Sequence, residues 1–251
     1  MKRIFTLLFC LLAAASATSG HTAERQDEAC STTHAADGSI RPAKKSVTQR
    51  REVRRFEEIA ASSGITVLVR QADEWTVEVS ADKNIIDRVQ TEVVGKTLRI
   101  RYRNNTSING RHEPTVVRVS CPVLTNISAT SGTDITFTNL FEGEALTVHA
   151  TSAARIDGAI RYGSLMLSAT SGADITLTGR SRHSTLTATS GANIDASALV
   201  SEEVSASATS GAYAHTRLTA KATSGAIVVY YGNPTQTDIS ATSGGSIRKR
   251  P

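Results

Sequence analysis

One tetrapeptide constrains this chain more than anything else in it. Ala-Thr-Ser-Gly begins at Ala129, Ala169, Ala188, Ala208, Ala222 and Ala241, and Ala150 starts the variant Ala-Thr-Ser-Ala. Successive starts lie 21, 19, 19, 20, 14 and 19 residues apart. Self-similarity at that period belongs to solenoids, in which a unit cannot bury its apolar face alone and stacks on its neighbours to do so.

The repeat also assigns directions to side chains. Three residues after the fourth position stand Ile135, Ile156, Ile175, Ile194, Ala214, Val228 and Ile247, and five before it stand Ile127, Val148, Leu167, Leu186, Ala206, Ala220 and Ile239. These columns share one parity with the alanines at three before, so an extended strand turns them to one face, the core. The opposite parity is polar and outward. It carries Thr in all seven units and then Asp134, Arg155, Asp174, Asn193, Tyr213, Ile227 and Ser246. Parity places the Ser of each tetrapeptide inward, as a hydroxyl ladder satisfied from rung to rung. The glycines allow a bend there.

The same template fits Gly64, with Ile59 and Ala61 before it and Ile65 and Val67 after. Between Gly64 and Gly132 the alternation continues through Trp75, Val77, Val79 and then Leu98, Ile100, Tyr102, with Gly95-Lys96 as punctuation and room for one helical turn between Asn84 and Val89. The predicted fold is all-β, a parallel β-helix or β-solenoid over residues 53–251 with rungs of roughly 20 residues. Charges at Arg50 to Arg55 and at Arg248-Lys249-Arg250 are placed to protect its two edges.

Ahead of it, Met1-Lys2-Arg3, an apolar run from Ile4 to Leu12 and small residues at Ala15 and Ala17 form a bacterial-type secretory signal over residues 1–17. The competing reading is a lipid anchor at Cys10, against which stands bulky Phe9. Residues 18–52, rich in Ala, Ser, Thr, Gly and charge without apolar periodicity, read as a flexible linker. No later stretch reaches the roughly 20 apolar residues of a membrane helix. Loss of Lys2 and Arg3 lowers the net charge from +5 to +3, too mild for a nucleic-acid binder. The expected destination is the periplasm or the cell surface, where an oxidising compartment permits, but spacing does not demonstrate, a bond between Cys30 and Cys121.

Several stretches resemble one family. Arg55-Phe56-Glu57-Glu58-Ile59 with Ser63-Gly64-Ile65-Thr66-Val67, Val77-Glu78-Val79 with Ile86-Asp87-Arg88-Val89, and Gly95-Lys96-Thr97-Leu98-Arg99-Ile100 are similar to the head GIN domain family, the proposed heads of auto-transporter adhesins. So is the passage from Pro122-Val123-Leu124 to Ser131-Gly132. The resemblance spans about residues 53 to 247 and implies a parallel β-helix in the cell envelope with an adhesion role.

Chemistry is sparse. His21, His34, His112, His149, His183 and His215 share no metal-ligand spacing, no serine lies in a Gly-x-Ser-x-Gly elbow, and no phosphate loop appears, so no catalytic, metal or cofactor residues are assigned. Asp134, Arg155 and Asp174 do share an outward column on successive rungs, placing the two carboxylates roughly 9.6 Å apart at two sheet spacings, near the inverting-glycosidase range. Asp157 and Asp195 flank them. The alternative is an exposed ion pair with Arg155 between two acids. Tyr213 and Tyr231 lie outward on neighbouring rungs and offer a sugar-stacking pair. The favoured function is a non-enzymatic envelope binding or adhesion module for an unknown glycan or protein. The second is a glycan-active β-helix enzyme using Asp134 and Asp174.

Overall fold

The structure, a computed structural model, describes residues 46–103, 114–216, 220–231 and 239–250. The first stretch forms β1 (Ser46–Arg51), β2 (Glu58–Ala61), β3 (Thr66–Gln71), β4 (Thr76–Asp82), β5 (Val89–Val94), β6 (Thr97–Tyr102) and β7 (Val116–Cys121). Next come β8 (Asn126–Ala129), β9 (Asp134–Phe137) and the long strands β10 (Phe141–Thr151), β11 (Arg155–Thr170) and β12 (Asp174–Thr189). The remainder are β13 (Asn193–Asp195), β14 (Leu199–Thr209), β15 (Tyr213–Thr216), β16 (Ala220–Thr223), β17 (Ile227–Tyr231), β18 (Ile239–Thr242) and β19 (Ser246–Arg250).

Repeating residues pair with their counterparts one rung away. On the first face Ile59, Ile127, Val148, Leu167, Leu186 and Ala206 stand in one register column. On the second, Val67, Ile135, Ile156, Ile175 and Ile194 do the same, every pairing parallel. These side chains are buried, the isoleucines completely. Each such side chain contributes about 1.5–3 kcal/mol by leaving water, and no rung could bury it without the next.

Between the two faces the chain turns at the Ser-Gly pair, and here the inward serine expected from parity is corrected. Ser131, Ser152, Ser171, Ser190, Ser210, Ser224 and Ser243 are exposed and adopt φ of +51° to +56°, each followed by a glycine (or Ala153) also at positive φ. Two consecutive left-handed residues closed by a Thr carbonyl, as in Ala173 N–H to Thr170 O at 3.2 Å, make a type I′ turn. Alternation holds only for extended backbone; the turn swings the serine out and returns Ala173 to the core at 0% exposure. The corners hold one another. Gly132 N–H donates to Ser152 O at 3.0 Å, Gly172 to Ser190, Gly191 to Ser210, Gly211 to Ser224 and Gly225 to Ser243 at 3.2–3.3 Å.

Among the described residues a third face is found only in the middle of the stack, where residues 141–145, 160–164, 179–183 and 199–203 run side by side. The register then steps only 14 residues, from Ala206 to Ala220, instead of 19 to 21. Too few residues remain in that rung for a third side. Among the described residues nothing stacks on 199–203.

The N-terminal region departs from expectation twice. Residues 46–51, inside the segment read as flexible linker, form β1, antiparallel to β4 with Gln49 opposite Val79. Alternation of half-buried Val47, Gln49 and Arg51 lets this polar strand lie along a sheet edge. Residues 1–45, including the expected signal, Cys10 and Cys30, lie outside the described residues, as do 104–113. The interval between Gly64 and Gly132 holds the strands that its alternation predicts, but not all of them pair in parallel. β6 and β7 extend the first and second faces in parallel, and β5 and β4 then continue them antiparallel. A single 3-10 turn at Ile86–Arg88 lies inside the predicted helical turn.

Candidate binding surface on the outer faces

The outward column on the second face assembles as the repeat predicts. Arg155 is in register with Asp134 on one side and Asp174 on the other, and its guanidinium lies 3.8 Å from a carboxylate oxygen of each. All three side chains are at least 40% exposed. Asp157, one outward position further, is half-buried. Its pKa is raised chiefly by that burial, against the pull of Arg155, with the carboxylates of Asp134 and Asp174 adding to the rise. Asp195 accepts a hydrogen bond from Ser197 N–H at 3.0 Å in a tight local turn. An acid and a base for glycoside hydrolysis need opposed environments around a sugar; here a cation occupies the space between the two candidates.

On the first face the Thr column is mostly half-buried, and one pair in it is joined, Thr170 Oγ1 donating to Thr151 Oγ1 at 3.0 Å. Beside it the exposed corner serines form a second row of hydroxyls, and the Thr and Ser hydroxyls of one corner approach each other at 3.4 Å in Thr130–Ser131. Tyr213 is 46% exposed. Tyr231 sits four positions beyond Ile227, the register partner of Tyr213, as anticipated; its side chain lies outside the description. Of the histidines, His149 is exposed and His183 Nδ1 lies 3.0 Å from a Glu203 carboxylate oxygen. Among the described residues no three His, Cys, Asp or Glu side chains gather where a metal ion could be held.

Sequence reading missed a groove on the third face. It encloses about 530 Å3 and is lined by Arg161, Arg180, Arg182, Glu142 and Glu202 over backbone at Gly163. The signal was present, since Arg161 and Arg180 are 19 residues apart, one full rung. They fell outside the tetrapeptide's phase, on a face that the tetrapeptide does not describe.

Among the described residues no helix is long and apolar enough to cross a membrane. A comparison with curated proteins found no match. Solved structures do match. A protein named as a putative adhesin from Bacteroides fragilis superposes with a TM-score of 0.77 at 20% identity, covering 84% of this chain and 100% of the other. One named as a putative lipid binding protein from Parabacteroides distasonis gives 0.68 at 17%, covering 82% and 97%. A third, named as a putative adhesin from Parabacteroides merdae, gives 0.66 at 15%, again covering 82% and 97%. At these identities the likeness establishes the parallel β-solenoid. The model of the family described as "Putative auto-transporter adhesin, head GIN domain" matches residues 55–234, and to that family this chain belongs.

Proposed function

We propose that this protein is a non-enzymatic binding module of the cell envelope, exported to the periplasm or cell surface, that holds an extended glycan or protein ligand across its stacked outer faces. One observation carries the reading: threonines stand in one unbroken register column along the outside from Thr151 to Thr242, while the acids with a suggestive separation are bridged by Arg155. Flat repeated faces supply many weak contacts; catalysis needs a few groups converging in a concave, water-restricted site. The adhesin and lipid-binding names of the structural neighbours agree with binding. Removal of residues 1–17 on export, and a linker within the segment 18–52 up to the start of β1, belong to the same proposal, and the intact mass of the native protein checks the first.

The test is incubation of the purified protein with envelope and host polysaccharides, followed by a glycan-array measurement and an assay for new reducing ends. Saturable binding without product is the expected result. Product that disappears in Asp174→Asn would overturn it in favour of the glycosidase.

A further inference from the structure

The third-face groove holds more positive charge than its own acids neutralise. Glu142, Arg161, Arg180 and Val200 fall in one register column, so two guanidinium groups occupy neighbouring strands. Like charges placed side by side on a sheet repel unless something lies between them. Arg161 is engaged by Glu142 from the segment before it. Arg180 has Arg161 on one side and exposed Val200 on the other. Among the described residues neither Arg180 nor Arg182 has a carboxylate oxygen within 4.0 Å. Arg182 lies against the backbone at Gly163, where an added Cβ would come within 3.0 Å of its guanidinium and 2.9 Å of the Glu144 carbonyl oxygen. A side chain at that position would therefore displace the guanidinium from the groove.

Two residues that line the groove, Ser181 and Ser201, are tied to buried Ser184. Ser181, Ser184 and Ser201 close a ring of hydroxyls, with Oγ–Oγ distances of 2.5, 2.6 and 2.8 Å. Three hydroxyls bonded in a ring use their three protons on one another and keep lone pairs free to accept. Ser201, half-buried at the groove wall, and the Glu202 carboxylate can both accept from ligand hydroxyls. Planar guanidiniums match the paired oxygens of a phosphate.

We propose that this groove binds a phosphorylated polyol, with its phosphate on Arg180 and Arg182 and its hydroxyls on Glu202 and Ser201. The inference rests on the binding-module reading and names a ligand class for it. A free sugar phosphate and the head group of a phosphoinositol lipid present the same chemistry, and the experiment separates them. Full-length protein is titrated calorimetrically with glucose 6-phosphate, glucose and inorganic phosphate, and in parallel is co-sedimented with phosphatidylcholine vesicles with and without phosphatidylinositol.

Saturable binding in at least one arm is expected, weakened about tenfold or more in Arg180→Gln/Arg182→Gln as two charge-assisted contacts go. Both arginines are exposed and Arg180 stands beside Arg161, so the melting temperature should not fall. Vesicle binding alone assigns a lipid source, glucose 6-phosphate alone a soluble one. Absence of binding in both arms, affinity unchanged by the double substitution, or inorganic phosphate binding as tightly as glucose 6-phosphate would each overturn the proposal. Polysaccharide binding that persists in the double variant while the groove fails leaves the binding-module reading standing; turnover of polysaccharide would bring that reading down instead.

Discussion

In the ladder that starts at Asn126, a strand meets its neighbour in parallel at the residue one repeat away, and each corner donates to the next corner. In the N-terminal extension, β1, β4 and β7 meet antiparallel, and β5 folds back on β6, with partners that no repeat dictates. Both regions bury the same kinds of side chain: Val77, Val79 and Val117 are as inaccessible as Ile156 and Ile175. What differs is how position is specified. The ladder uses one local motif many times. The extension uses individual contacts, such as Trp75 Nε1–H to the Phe56 carbonyl at 2.9 Å with the Arg55 guanidinium 5.1 Å from the Trp75 ring centroid. Gln71 is another: its side chain bonds the carbonyls of Pro122 and Glu142 and accepts from Glu142 N–H, fastening β3 to the start of the third face.

The largest effect should come from breaking the ladder's core. Ile175→Asp places an unpaired carboxylate in a column of isoleucines and should cost several kcal/mol, enough to lose the folded state. Thr170→Asp, on the outward column, loses one hydroxyl contact to Thr151 and should stay within about 1 kcal/mol. Urea unfolding compares them, and equal losses would show that the columns do not govern stability.

Alkali should probe the extension. Burial pushes the Cys121 thiol in β7 from 9.0 up to about 12. A thiol held neutral in the folded state contributes stability that is complete below pH 9 and falls as the pH rises toward about 12, by roughly 1.4 kcal/mol per unit from this group. Buried Tyr162 on the third face, its pKa also raised by burial, acts in the same direction. Unfolding measured across that window should show a shallower slope in Cys121→Ala; an unchanged slope would assign the alkaline loss elsewhere.

The corners allow a finer comparison. Ala153 stands at φ +60°, where other rungs have glycine. An L side chain there costs about 1–2 kcal/mol, so Ala153→Gly should raise stability by about 1 kcal/mol. Gly172→Ala should lower it by a similar amount, with open space around the added methyl. Thermal melts that moved in the same direction for both would contradict a backbone origin. The smallest effect belongs to Asp174→Asn. It removes one of two exposed partners of Arg155 and should change stability by no more than about 1 kcal/mol.

These differences also explain what sequence alone could reveal. The core columns from Ile127 to Val228 were legible because each rung restates the same environment, so parity errors average out over many copies. The outward serines were not, because parity presumes extended backbone and the Ser-Gly pair leaves it. β1 was hidden by composition: Ser-Val-Thr-Gln-Arg-Arg carries a single aliphatic residue, and its partner lies 26 to 36 residues along the chain. Asp134, Arg155 and Asp174 were found because they ride the tetrapeptide's phase. Arg161, Arg180 and Arg182 lie on the third face, where Gly163 and a local break in pairing remove the alternation that parity needs.

Corner peptides that grip one another from rung to rung turn the outer surface into a graduated rod. Side chains on successive rungs can be separated only by whole steps of about 4.8 Å, because any fractional slip would break every Ser carbonyl contact together. On the proposed binding role, a polymer lying along the rod would be measured against fixed marks. Discrimination between ligands of different charge interval follows from commensurability, as between two combs, and lengthening the rod by one rung adds a mark without moving the others.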